Sequence, residues 1–270
     1  MHRAAVLGKP VAHSLSPVLH RAGYAAAGLT GWEYTAVECA ESELAGLVAG
    51  LDGSWAGLSL TMPLKEVALR VATAVSPLAT ALGVANTLVR RDDGWYAENT
   101  DAPGMVDALR WAGTPDAATM AVLGGGGTAR AAVGAAHELG TRRVALYVRR
   151  PEAGGELRPV AAALGVDLVV QPWTEAGQCR DADVVISTVP KGVADGLARL
   201  AWRPESVLFD VVYDPWPTPL AAAAERAGCR VVSGLELLLT QGVRQFALYT
   251  GVPAPVEAMR AALTAAAAQR

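Results

Sequence analysis

The sequence predicts an α/β fold with largely parallel sheets, in a chain long enough for two small domains, and three observations predict it. Short apolar runs alternate with longer helix-like segments almost from end to end. A run of glycines stands between one such strand and an alanine-rich helical segment. At 270 residues, 52% of them hydrophobic, the chain exceeds one average domain and can fill real cores.

The elements follow in order. Strands are predicted at Ala4–Leu7, Trp32–Val37, Gly57–Leu60 and Thr87–Arg90, the last pairing with Trp95–Glu98 through Asp93-Gly94. Ser16-Pro17 predicts the start of a helix, with a hydroxyl cap and proline at the first helical position. A second strand series runs through Met120–Leu123, Val144–Val148, Leu168–Val170, Val184–Thr188, Val207–Val211 and Val231–Ser233. Ala-rich helices are expected around 129–139, 156–164 and 218–227, which makes this half a doubly wound nucleotide-binding unit. The tail returns to helix from Leu235 to Tyr249, stopped by Gly251, and again from Pro255 to Ala268. No internal repeat is present.

Charge and composition exclude several classes. The net charge is −3 with no basic run, which argues against nucleic acid. Cys39, Cys179 and Cys229 are far apart and odd in number, and the four histidines form no cluster, so neither a disulfide framework nor a metal site is expected. The apolar stretch at the start is too short for a signal peptide and no run reaches membrane-spanning length, so a cytoplasmic protein is expected. Only three of the 23 basic residues are lysine, at 9, 65 and 191.

Gly124, Gly125, Gly126, Gly127 and Thr128 follow the strand Met120–Leu123 and lead into helix-forming alanines, fitting G-x-G-x-x-A. Without side chains, backbone N–H groups can approach a pyrophosphate at a helix N-terminus. A plain flexible turn explains four glycines poorly, because each costs conformational entropy. The next strand ends at Val148-Arg149-Arg150, with no acid before Glu152. An NAD site wants a carboxylate there for the ribose 2′-hydroxyl, whereas two guanidiniums suit the 2′-phosphate of NADP. The bland alternative is a solvated pair of surface arginines.

The first half carries three further constellations. His13-Ser14-Leu15-Ser16-Pro17 sets two hydroxyls before a helix, where an anion is favoured, although capping alone is the commoner use. Thr61-Met62-Pro63-Leu64-Lys65 places an amine one turn after a strand end. Ala85-Asn86-Thr87 and Asn99-Thr100-Asp101 supply amides, hydroxyls and a carboxylate.

In order and spacing these segments resemble the shikimate dehydrogenase family, which shows HSxSP, T-x-P-x-K, VNT, NTD, a glycine loop, D-x-x-Y-x-P-x-x-T and G-x-x-x-L-x-x-Q. Here the last two read Asp210 through Thr218 and Gly234 through Gln241, and the likeness runs from residue 4 to about residue 250. The resemblance implies that Ser14 and Ser16 bind the substrate carboxylate. It places Thr61, Lys65, Asn86, Asp101 and Gln241 around the ring hydroxyls and ketone. Tyr213 is implied where substrate and cofactor meet, with Val211 and Gly234 beside the cofactor. It further implies an inserted Rossmann-type NADP domain, 103–234, within a substrate domain of 1–102 plus 235–270, and an active site in the cleft. The expected partners are a small-molecule substrate and NADP, with no membrane or nucleic acid, and the chain a monomer or homodimer.

The sequence departs from the pattern at three places. Ser59 replaces a common Asn, so one substrate hydrogen bond is expected to be shorter or water-mediated. Val148-Arg149-Arg150 stands where Asn-Arg-Thr is typical, and Val84-Ala85 where Ala-Val is common. For ketone reduction, Lys65 is the natural proton donor, since an ammonium can lose a proton and a guanidinium effectively cannot. Asp101 is expected to orient it. Two alternatives remain at this point: an NAD-preferring quinate/shikimate dehydrogenase, and a catalytically silent NADP-sensing paralogue that kept the fold.

Overall fold

A computed structural model describes residues 1–114 and 117–270, and these form two compact units. The first comprises Met1–Asp101 with Leu238–Arg270, the second Ala102–Leu237.

In the first unit the chain runs β1 (His2–Gly8), α1 (Ser16–Ala26), β2 (Trp32–Glu38), α2 (Glu41–Ala49), β3 (Trp55–Leu60), α3 (Ala68–Val71), β4 (Ala74–Val75), α4 (Pro77–Leu82), β5 (Thr87–Arg91) and β6 (Gly94–Glu98). Helix α5 (Asp101–Trp111) carries the chain out of this unit. The sheet order is β2-β1-β3-β5-β6-β4. The strands β1, β2 and β3 are parallel, but β5 is antiparallel to both β3 and β6, so this sheet is mixed. Gly94 pairs with Arg91 as the first residue of β6, which moves the hairpin turn one residue back from the expected Asp93-Gly94 to Asp92-Asp93. One core cluster joins Leu7, Leu44, Leu58, Leu60, Leu64, Leu88 and Trp95.

The second unit continues with β7 (Thr119–Leu123), α6 (Gly127–Glu138), β8 (Arg143–Val148), α7 (Pro151–Ala163), β9 (Asp167–Pro172), β10 (Val184–Ser187), β11 (Val207–Asp210), α8 (Pro219–Arg226) and β12 (Arg230–Ser233). Short 3-10 segments lie at Trp173–Asp181 and Asp195–Arg199. All six strands are parallel, in the order β12-β11-β10-β7-β8-β9. Parallel strands need cover on both faces, and the strands read as continuous apolar runs for that reason. Ala121, Leu123, Val185 and Leu208 pack with Leu220 and Ala224 of α8 and with the 3-10 segments. Helices α6 and α7 pack against β7, β8 and β9.

Helix α9 (Gly234–Thr250) brings the chain back to the first unit, and α10 (Val256–Ala267) ends it against α1. The boundaries expected at 102/103 and 234/235 fall within α5 and α9. Among the described residues no helix is long and apolar enough to cross a membrane, and no group of His, Cys, Asp and Glu is arranged to hold a metal.

The helix start at Ser16-Pro17 needs a correction. Leu15 occupies the cap position and Ser16 is already the first residue of α1, with Pro17 behind it. The hydroxyl that reaches a free backbone group belongs to Ser14, whose Oγ accepts from the Ser16 N–H at 3.2 Å. Further along α1, His20 is fully buried and stacks on Tyr34 with centroids 4.1 Å apart. Burial lowers its pKa from 6.5 to about 3. Between these two values the unfolded chain binds a proton on this ring and the folded chain does not. The contribution of neutral His20 to stability is therefore complete above pH 6.5 and is lost as the pH falls toward 3. A His20→Phe variant should show a flatter acid limb, by up to about 1.4 kcal/mol per pH unit, when urea unfolding is followed between pH 6.5 and 4.

Candidate active site and nucleotide loop

In the first unit, three chain segments meet at one carboxylate. Lys65 lies in the turns between β3 and α3, Asn86 immediately precedes β5, and Asp101 opens α5. The pairing of β3 with β5, and of β5 with β6, brings these three strand ends together. Backbone bonds tie them further. The Ala85 N–H donates to the Lys65 carbonyl at 2.8 Å, and the Leu60 N–H to the Asn86 carbonyl at 2.7 Å.

The Lys65 Nζ donates to Asp101 Oδ2 at 2.6 Å. The other carboxylate oxygen accepts from Asn86 Nδ2 at 2.8 Å. That Nδ2 also lies 3.0 Å from Thr100 Oγ1 and 3.4 Å from Gln241 Oε1. Asn86, Asp101 and Gln241 are buried, while Lys65 keeps partial access to solvent. A charged pair so placed can hold an ammonium at a fixed point and let it exchange a proton with a bound oxygen. Thr61, whose N–H donates to the Leu7 carbonyl at 2.9 Å, stands at the start of the same turn, half-buried. Ser14 is half-buried, and Ser16 is buried.

The second unit holds the glycine loop at the C-terminal end of β7. Strand order reverses between β7 and β10, the place where open α/β sheets bind ligands. Thr188, just past β10, donates both its N–H (2.9 Å) and its hydroxyl (2.8 Å) to the Leu123 carbonyl. This draws the two strand ends so close that a Cβ on Gly124 would lie 2.7 Å from Thr188 Oγ1, and Gly124 has φ +107°. No other residue type fits there without strain. Gly126 is the N-cap of α6, no side chain caps the helix, and its first turn (Gly127, Thr128) holds no acid. Uncapped N–H groups beside a glycine cradle fit a pyrophosphate. Arg149 and Arg150 are both exposed directly after β8, Arg150 at the N-cap of α7. That donor set fits an added phosphate at the ribose.

The Asp210-to-Thr218 segment has a structural basis of its own. Thr218 donates to Asp210 Oδ2 at 2.7 Å and accepts from the Ala221 N–H at 3.1 Å, so it caps α8 and satisfies the buried carboxyl together. Burial raises the Asp210 pKa despite this bond. Tyr213 lies half-buried in the loop between them. Val211 passes so near Gly234 that a Cβ there would lie 2.0 Å from the Val211 carbonyl oxygen.

Known proteins resemble this chain along most of its length. Residues 6–88 match the shikimate dehydrogenase substrate binding domain, and residues 234–264 match the shikimate 5′-dehydrogenase C-terminal domain. The NADP(+) shikimate dehydrogenase of Moorella thermoacetica is 38% identical over 94% of this chain and 90% of its own. The chain belongs to the shikimate dehydrogenase family. The crystal structure of the Mycobacterium tuberculosis shikimate dehydrogenase is 45% identical, with TM-score 0.90, covering 98% of this chain and 100% of that one. The Thermus thermophilus enzyme, solved with NADP(H) and shikimate, is 33% identical with TM-score 0.87, over 98% and 100%.

Family motifs pointed to Lys65, Asp101, Asn86 and Gln241, and the structure brings these four together. Tyr213, Val211, Gly234 and the glycine loop lie in the other unit. Sequence reasoning assigned no role to Thr87, Thr100, Gln245 or Tyr34, although the first two stand inside the motifs. Their signal was the position of a hydroxyl beside each motif amide or carboxylate, which reads as filler until the bonds are seen. Replacing Thr218 by Val should strip both the cap and the Asp210 donor, costing about 1–3 kcal/mol in urea unfolding, with Thr218→Ser close to the parent.

Proposed function

We propose that the chain catalyses the reversible NADPH-dependent reduction of 3-dehydroshikimate to shikimate. The observation that carries this reading is the Lys65–Asp101 pair at 2.6 Å with Asn86 on the second carboxylate oxygen, in a member of the shikimate dehydrogenase family. NADPH supplies the hydride when bound. Gly124, Gly125, Gly126, Gly127 and Thr128 would hold its pyrophosphate, Arg149 and Arg150 its 2′-phosphate, and Val211 and Gly234 its nicotinamide end.

The chain's own residues do the rest. Ser14 and Ser16 hold the substrate carboxylate near the start of α1, where the helix dipole favours an anion. Thr61, Asn86 and Gln241 hold the ring hydroxyls, and the family likeness adds Tyr213 to the substrate-binding residues. The Lys65 ammonium stabilises the oxygen as negative charge develops and gives it a proton. Asp101 keeps the ammonium aimed. In the reverse direction neutral Lys65 takes the hydroxyl proton back. A cytoplasmic setting suits this biosynthetic role.

Mixing the protein with shikimate and NADP⁺ or NAD⁺, and following the reduced-nicotinamide absorbance, tests the reading. Turnover with NADP⁺ is expected. Turnover only with NAD⁺ would favour a quinate/shikimate dehydrogenase, and none with either a silent paralogue. Lys65→Ala should lower kcat by about 10²–10⁴-fold with NADP⁺ binding nearly unchanged; retention of a third of kcat at every pH would remove Lys65 as proton donor. Replacing Arg149 and Arg150 together by Ala should weaken NADP⁺ by at least about tenfold, less at high salt because both are exposed, and leave NAD⁺ almost untouched. Equal losses for both cofactors would place the effect at the pyrophosphate or in folding.

A further inference from the structure

We propose that Thr87 is a positioning residue for this reaction, the link through which a one-way chain of buried donors holds the Asn86 amide and, through it, Asp101. The proposal rests on the function proposed above. The chain begins at Tyr34, whose phenol donates to Ser59 Oγ at 2.6 Å. Ser59 donates to Gln245 Oε1 at 2.7 Å. Gln245 Nε2 donates to Thr87 Oγ1 at 2.9 Å, and Thr87 donates to Asn86 Oδ1 at 2.9 Å. Asn86 Nδ2 then donates to Asp101 Oδ1 at 2.8 Å. Tyr34, Ser59, Gln245, Thr87 and Asn86 are all buried, so no water stands in for a missing link.

The direction follows from groups that can act in one sense alone. A backbone N–H only donates, and the Thr100 N–H lies 2.8 Å from Asn86 Oδ1. The oxygen of Asn86 must face it, which turns Nδ2 toward Asp101. Thr87, giving its single proton to that oxygen, has to accept from Gln245. Gln245 is thereby oriented with Oε1 toward Ser59. Ser59 spends its one proton there and accepts from Tyr34 and from Tyr249, 3.1 Å away. Burial raises both phenols well above their ordinary value, so they keep the protons that they donate.

Ser59 therefore has one donor and two acceptor sites, each taken by protein. Its hydroxyl is committed to the chain, in contrast to the shorter or water-mediated substrate bond expected from its replacement of Asn. Hydrogen bonds aligned head to tail polarise one another, and here every dipole points its positive end toward the carboxylate that holds Lys65. The hydroxyl of Thr87 joins the Asn86 side chain to that alignment.

The test compares Thr87→Val, which keeps the shape and removes the hydroxyl, with Thr87→Ser, which keeps the hydroxyl. Wild-type turnover of shikimate with NADP⁺ is measured first, and its absence would overturn the proposed reaction and this role together. With an active wild type, Thr87→Val should lose about tenfold in kcat, with KM for shikimate changed less than kcat and NADP⁺ affinity unchanged. Thr87→Ser should stay within about twofold of the parent. Rates are corrected for the folded fraction measured by circular dichroism. Should Thr87→Val fail to fold, Ser59→Ala cuts the chain two links upstream and should show a smaller loss of the same kcat-weighted kind. Wild-type kcat in the readable variant, or equal damage from Val and Ser at position 87, overturns the role.

Discussion

A carboxylate taken out of water must have both oxygens satisfied, and much of the polar structure of the first unit follows from that demand at Asp101. Lys65 serves one oxygen and Asn86 the other. Asn86 can do so only while its own oxygen is held, by the Thr100 N–H and the Thr87 hydroxyl. The antiparallel arm of β5 and β6 is what makes this possible. It sets Asn86 beside the end of β3 and returns the chain so that Asn99-Thr100-Asp101 arrives next to it. An all-parallel sheet would have sent those residues to different ends.

The second unit answers a different constraint, the close approach of backbone to backbone. At the strand-order reversal Thr188 binds the last carbonyl of β7, and Gly124 has no room for a side chain. At the same carboxyl edge of the sheet, after β12, Gly234 lies against the Val211 carbonyl in the same way. Bare backbone lets an anion approach closely, and the uncapped N-terminus of α6 supplies the N–H groups and the dipole. Gly124 thus meets a packing necessity beside a helix end suited to an anion. The motif at Asp210 and Thr218 shows the reverse case, in which residues within a family motif have a structural bond that accounts for their chemistry.

Much of this was legible in the sequence because it is local. Strand alternation, the glycine run, Ser-Pro at a helix start and the motif order each need only neighbours along the chain. The strands lie where the periodicity put them, and the family likeness carried the inserted arrangement. What periodicity left out was α2, α3, α4, β4 and α5, of which α3, α4 and β4 give too few turns or pairs for a clear period. The helix start was misread by one residue at Ser16 because a cap is defined by backbone angles, and Ser14 was equally eligible.

By itself, then, the sequence determined the fold class, the two-part organisation, the glycine loop with the arginines after β8, and the residue types needed for a ketone reduction. Only the tertiary structure decided that Lys65 shares Asp101 with Asn86. It also decided that Ser59 turns its hydroxyl to Gln245 and two tyrosines, and that His20 sits uncharged against Tyr34. The physical reason is that hydrogen bonds among buried groups join residues far apart in the chain, such as Ser59 and Gln245. Which way each one points is settled by counting protons around the whole network, and no local pattern records that count.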